Sequence, residues 1–233
     1  MGHSDAPRML DHLARLKALR GPGIQSASFR KRLLVLKEWQ SARLARTYAD
    51  LAAIPRYAPA VAFFLDDLYS AKDFSSRDEE MLRIYPTMVR LLPASAVETV
   101  GLALELDALA EELDQAMTEA LPPGGITEAG YCEAFRAVGR EPARMRQVAL
   151  VPEVGGRLEN VVIKPLIYST LKLLRRPAKL AGLGDMQSFL ERGFTAFRHM
   201  GGAEEFLATI ERRETAIIKR IFSSQPSPFS ALP

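Results

Sequence analysis

The segment from Ala94 to Ala120 constrains this chain most, because helical spacing runs through it without a proline. Leu102, Leu106, Leu109, Leu113 and Met117 recur every three or four residues, which places them on one face of a helix. Glu98, Glu105, Glu112 and Glu119 repeat every seven residues on another side. Such an acidic stripe is read as the wet side of an amphipathic helix, with contact to a basic partner as the alternative.

The same period recurs along most of the chain. Leu10, Leu13 and Leu16 mark a short opening helix before Gly21-Pro22-Gly23. Phe29, Leu33, Leu36, Leu44, Tyr48 and Leu51 mark a long one, with Arg30, Lys31, Arg32, Lys37, Arg43 and Arg46 spread around its other sides. Further helices are predicted around Phe63 and from Ser75 to Leu92, the latter kinked or divided by Pro86. Pro152, Gly155 and Gly156 are expected to end a helix that starts at Glu141. The segment Leu158 to Leu174 carries two apolar rows and is predicted to be a central helix buried on most sides, with the Phe63 helix packed against it. Gly201 and Gly202 are placed to end the helix of Phe189, Phe194 and Phe197 in a left-handed turn. These patterns predict an all-α, multi-helix bundle of about eight or nine helices, with no significant sheet. The chain reads as a single helical domain over residues 1–233. Any internal boundary belongs at Leu121-Pro122-Pro123-Gly124-Gly125-Ile126, and the tail from Ser223 reads as loosely ordered or packed as a strap.

Composition excludes several classes. The 31 basic and 28 acidic residues give a formal charge of only +3, too small an imbalance to argue for nucleic acid. Arg175, Arg176 and Lys179, or Arg212, Arg213, Lys219 and Arg220, could touch phosphate, but Glu204, Glu205, Glu211 and Glu214 share the final helix and oppose that approach. One cysteine, Cys132, cannot form an internal disulfide and reads as a small buried residue. No run reaches the roughly 20 apolar residues that span a bilayer, and no signal peptide opens the chain, so the expectation is a cytoplasmic protein.

Acid placement nominates the candidate site. Asp66 and Asp67 fall in the last turn of the Phe63 helix, where the carbonyl ends disfavour each acid by about 0.3–1 kcal/mol unless something compensates. Lys72 and Arg77 are the nearby compensating cations, while Ser75 and Asp78 read as a capping box opening the next helix. Asp66, Asp67, Tyr69, Lys72, Asp73 and Arg77 therefore form either a structural ion-pair network or the polar wall of a binding site. A second polar ridge, Asn160, Lys164, Tyr168 and Lys172, runs along the otherwise apolar Leu158 segment. Pro165 frees the carbonyl of Val161 there. The ligand-binding set is thus Asp66, Asp67, Tyr69, Arg77, Asn160, Lys164, Tyr168 and His199, with Lys164 facing the paired acids.

Metal and cofactor motifs are missing. Neither His12 nor His199 has the Glu three residues earlier that a helical di-iron site needs, and one Cys with scattered His cannot build a closed zinc site. Haem through His199 has only a lone imidazole to support it. Asp66-Asp67 shares two positions with the DDxxD magnesium motif of the all-helical isoprenoid synthases. Ser70 stands where the third Asp belongs and no second motif comes after it, so no activity is carried over. The leading expectation is a non-catalytic binding protein whose helix-lined pocket takes a small, partly apolar ligand or a protein segment. The alternatives are a magnesium-dependent or acid–base enzyme using Asp66 and Asp67, and a scaffold or regulatory module. No cofactor is assigned.

Overall fold

Leucine spacing makes one long helix the element on which others gather in the computed structural model, which describes residues 6–21, 25–68, 75–91, 94–162, 164–230 and 232. This helix, α6 (Ala94–Ala120), is flanked by α1 (Ala6–Arg20), whose Met9, Leu13 and Leu16 are buried against Val97, Leu104 and Ala108. On another side Leu109 and Leu113 meet Leu150 of α8 (Glu141–Val162). Its C-terminal Met117 enters a third cluster with Leu36 of α2 (Ala27–Thr47), Tyr131 and Phe135 of α7 (Glu128–Val138), and Ile217, Ile218 and Ile221 of α12 (Glu204–Phe222). Helices on both sides of the 121–126 link therefore share one core cluster.

Three of the four glutamates in the acidic stripe of α6 pair within the chain. Glu98 pairs with Arg157 and Glu105 with Arg146, both on α8, while Glu112 takes Arg15 from α1 and Arg140. These pairs are partly exposed, and solvent screening keeps such surface pairs weak. Glu111 differs, being only 2% exposed. Its carboxylate accepts from Lys37 Nζ at 2.8 Å, Arg20 Nε at 3.0 Å and Gln115 Nε2 at 3.1 Å. Burial pushes this carboxyl up, but Lys37 and Arg20 outweigh it and hold it below the usual range. Arg20 also donates to Asp107 of α6 and to Asp78 of α5 (Ser75–Leu91). Four helices are thus tied through one guanidinium and one ammonium. The Asp78 carboxylate, expected to cap its own helix, reaches Arg20 at 3.1 Å.

All described secondary structure is helical, in twelve α-helices and one π-helical turn rather than eight or nine helices. Breaks at single residues add the extra ones. Tyr48 separates α2 from α3 (Ala49–Ala52), and Leu174 separates α9 (Pro165–Leu173) from α10 (Arg175–Leu180). The expected breaks at Pro152, Gly155 and Gly156 do not occur, because α8 runs through all three. Gly155 has a reason to be inside a helix: a Cβ there would lie 2.7 Å from both Cδ atoms of Leu207 on α12. The missing side chain is what lets the two helices close.

The Leu158–Leu174 segment is neither one helix nor buried on most sides. It divides before Pro165, where Lys164 N donates to the Val161 carbonyl at 3.2 Å, and it leaves Leu173 78% and Leu174 48% exposed. The Phe63 helix, α4 (Ala58–Phe63), packs mainly on α11 (Gly184–Met200). A Cβ on Gly193 of α11 would stand 2.8 Å from Phe63 Cζ. As expected, α11 ends with Gly201 in the left-handed conformation, at φ 61°. α4 passes straight into the π-helical turn Phe64–Leu68, whose wider winding leaves Asp66 exposed and Asp67 buried. The tail takes the strap form, with Arg220 Nη1 donating to the Ser230 carbonyl at 2.5 Å and Phe229 laid beside Trp39 and Tyr131.

These contacts set two stability outcomes. Glu111→Gln leaves Lys37 without its carboxylate and lowers unfolding free energy by about 3–5 kcal/mol in urea denaturation. Gly155→Val drives a branched side chain into Leu207 and costs about 1–3 kcal/mol in the same assay, whereas Gly156→Ala, where an added Cβ meets nothing within 4 Å, does not destabilise.

Candidate functional site

The described residues among those nominated from sequence are engaged in different ways. Asp67 is buried, but its carboxylate is held by Arg192 of α11, with Nε donating at 2.9 Å and Nη2 bonding the second oxygen. Asp66 faces outward. Lys164 is exposed at the α8–α9 break, and Asn160, also exposed, donates to the Gly156 carbonyl at 3.1 Å on its own helix. Tyr168 stacks on Phe194 at 5.6 Å between ring centroids, under the Lys172 ammonium. His199 is exposed, with Nε2 3.1 Å from the Pro55 carbonyl oxygen. Tyr69, Lys72, Asp73 and the side chain of Arg77 lie outside the described part of the structure. Asp67, Asn160, Tyr168 and His199 thus each meet a partner of their own.

A different set converges around an interior cavity of about 130 Å³ enclosed by α2, α6, α7, α8, α12, the π-helical turn and the strap. Its polar wall carries Gln40, Arg43, Asp114, Tyr131, Arg144 and Glu214, and its apolar wall includes Phe64, Leu65, Val148, Val151, Phe206 and Ile210. Phe64 and Leu65 bring the Phe63 segment to the cavity, while the two acids next to them do not line it.

Local structure fixes each arginine. Gln40 and Arg43 are three apart on α2, so one face presents both. Arg43 Nη1 donates to Glu214 Oε1 at 2.6 Å, and the Tyr48 hydroxyl donates to the same oxygen at 2.8 Å. α7 opens at Thr127, whose hydroxyl accepts from Gly130 N at 3.1 Å, and closes at Gly139 with φ 64°. That turn, continued by Arg140 at φ 56°, offers the Gly139 carbonyl to Arg144 Nε at 3.1 Å. The Arg144 guanidinium also lies over the Phe135 ring, 3.5 Å from its centroid.

Two donors remain over. Arg43 Nε and Arg144 Nη2 are buried and meet no acceptor among the described residues. A buried donor left unmatched costs about 1–3 kcal/mol, more when it carries charge. Burial lowers the Arg144 guanidinium from its ordinary value, with partial compensation from Tyr131 and Asp114. Burial also works against charge on Arg43, but Glu214 outweighs it and leaves that group raised.

Asp114 is the other unusual group. Desolvation pushes its carboxyl up to about 6, against the lowering pull of Lys37 and of Gln40, whose Nε2 donates to Oδ1 at 3.0 Å. The Tyr131 hydroxyl, 3.5 Å from the same Gln40 nitrogen, is raised chiefly by burial, with Arg43 and Arg144 both opposing. Tyr131 therefore lies within electrostatic reach of both arginines. Trp39 stacks on its ring at 4.2 Å.

Sequence reasoning missed this site, although a signal was present. Arg43 lies seven residues after Leu36, and Arg144 four before Val148 and seven before Val151. Each arginine thus occupies an apolar helical register. The expectation that Arg43 lies on the outer sides of α2 is corrected by its burial. Among the described residues no group of three or more His, Cys, Asp or Glu is disposed to hold a metal ion.

Comparison with known proteins yields one family. No curated protein and no solved structure matches the chain. The family profile described as Domain of unknown function (DUF8198) matches residues 22–228, which takes in every helix of the cavity wall, stops one residue short of Phe229 and leaves α1 outside. The chain belongs to that family.

Proposed function

We propose that this protein is a non-catalytic binder of a small, partly apolar carboxylate, held in the interior cavity with its acid group between Arg43 and Arg144. The observation that supports this reading is the pair of buried, unpartnered donors, Arg43 Nε and Arg144 Nη2, on two residues that line a space otherwise walled largely by hydrocarbon. A carboxylate offers only acceptors, and each guanidinium offers only donors. Charge-assisted bonds of this kind are about twice as strong as neutral ones. The size restricts the ligand further. About 130 Å³ is close to the roughly 150 Å³ cavity that accommodates benzene in another protein, so the ligand is a ring- or branched-chain-sized acid.

Charge bookkeeping ties binding to a proton. Glu214 balances Arg43, and Glu111 takes Lys37. Asp114 in its ionised form opposes a second carboxylate in the same space, whereas its protonated form leaves Arg144 to receive the ligand. With a value of about 6, Asp114 gains its proton just below neutrality, while a simple carboxylic acid is still ionised there. Uptake of the anion is therefore linked to uptake of one proton.

The chain's one tryptophan, Trp39, reports on the site through its stack on Tyr131. Titration with benzoate or 3-methylbutyrate changes its fluorescence, while the matching amides do not. Arg144→Met weakens the acids by about tenfold or more, the loss of one charged hydrogen bond, without lowering the melting temperature. Equal responses to acids and amides, or none to either, would refute the reading. Affinity for the acids rises as pH is lowered through about 6, and Asp114→Asn flattens that dependence. Turnover of a bound acid that disappears in Asp114→Asn while binding persists would instead make the site an acid–base catalyst.

A further inference from the structure

Hydrocarbon that the sequence marks for burial comes to the surface at one corner of the molecule. Between Glu159 and Asp185 the chain has no acidic residue and five basic ones, Lys164, Lys172, Arg175, Arg176 and Lys179. This stretch forms α9 and α10. α10 packs on α9 and α11 alone among the major contacts, and no residue of it is buried. Leu173 is 78% exposed and Leu180 90% exposed, with Leu174 also on the surface. Largely exposed leucines close together in sequence, framed by cations, are a cost in water unless something covers them.

We infer that the α9–α10 corner docks this protein onto an anionic membrane surface, inserting Leu173, Leu174 and Leu180 at the level of the lipid headgroups while Lys172, Arg176 and Lys179 meet the phosphates. Apolar side chains on an exposed element, with long cationic side chains around them, are the pattern of in-plane interfacial anchors. No helix among the described residues is long and apolar enough to cross a membrane, so the contact is with the surface. Part of the charge is already used, since Arg175 is bonded to Glu191, and Asp185 bounds the patch on the α11 side. Lys172, Arg176 and Lys179 have no acid beside them within α9 and α10. A second copy of this chain is a poor occupant, because a symmetric contact would bring Arg176 and Lys179 against their own images. A partner groove is also poorly matched to leucines that stand out on two short helices rather than along one continuous face.

The test is sedimentation of the whole protein with vesicles of phosphatidylcholine alone or with about 30 mol% phosphatidylserine, a composition that gives a cytoplasmic-leaflet-like surface potential. The protein sediments with the anionic vesicles and not with the neutral ones, and about 0.5 M salt releases it. Leu173→Ser with Leu180→Ser, and separately Arg176→Gln with Lys179→Gln, each weaken binding roughly tenfold or more. Both pairs leave the melting temperature unchanged, because the altered side chains are exposed. Failure to sediment with anionic vesicles, or binding that both double variants retain, overturns the inference. Binding to soluble polyglutamate as strong as to the vesicles also overturns it and assigns the corner to an acidic protein.

Discussion

Glu111 is the constraint on which the arrangement of this protein depends. A carboxylate buried in the middle of the longest helix is tolerated only where cations are delivered to it, and here they come from two different helices as Lys37 and Arg20. Arg20 in turn engages Asp107 and Asp78, so the position of α5 is referred to the same point. Hydrophobic burial against Leu104, Leu109, Leu113 and Met117 draws α1, α8 and α2 toward α6 without fixing how they are rotated. The ion pairs add direction, since each is satisfied at only one register. Three of the heptad-spaced glutamates extend this along the helix, Glu98 and Glu105 meeting α8 and Glu112 meeting α1.

The interior cavity next to that framework inverts its logic. Around Glu111 the cations and acids are matched. Around Arg43 and Arg144 the acceptors fall short, and the carboxyl that could supply one, Asp114, is discouraged from ionising by the same burial. Matched charge fixes helices in place, and mismatched charge creates an affinity. The two clusters are neighbours on α6, with Glu111 and Asp114 one turn apart, so the rigidity of the first supports the geometry of the second.

How far this is legible from the residues depends on the length scale. Helical class is written in the apolar spacing of nearly every segment, and the left-handed stop at Gly201 rests on glycine's freedom at positive φ. Breaks are harder to read. Pro152, Gly155 and Gly156 look like an interruption, yet the interruption is overridden because Leu207 occupies the volume that Gly155 vacates, a fact about a helix fifty residues further on. The Leu158–Leu174 rows suggest burial only because periodicity reports that a face is apolar, not that anything covers it. At the site, the adjacent acids draw attention to the right neighbourhood for the wrong reason: Phe64 and Leu65 line the cavity, while Asp67 is neutralised by Arg192. Arg43 and Arg144 escape notice because a cation within an apolar row resembles a lapse in the pattern until the partners of both helices are known.

The π-helical turn at Phe64–Leu68 carries an implication for how this family can vary. A π-helical turn takes up one residue more than a regular one over nearly the same rotation, so losing a single residue between 64 and 68 would tighten it into an ordinary α-helical turn that ends facing much the same way. What would change is local: which side chain meets Arg192, and which ones reach the space that Phe64 and Leu65 bound. A one-residue change of length is therefore absorbed here more easily than within the regular helices, where it would turn everything beyond it by about 100°.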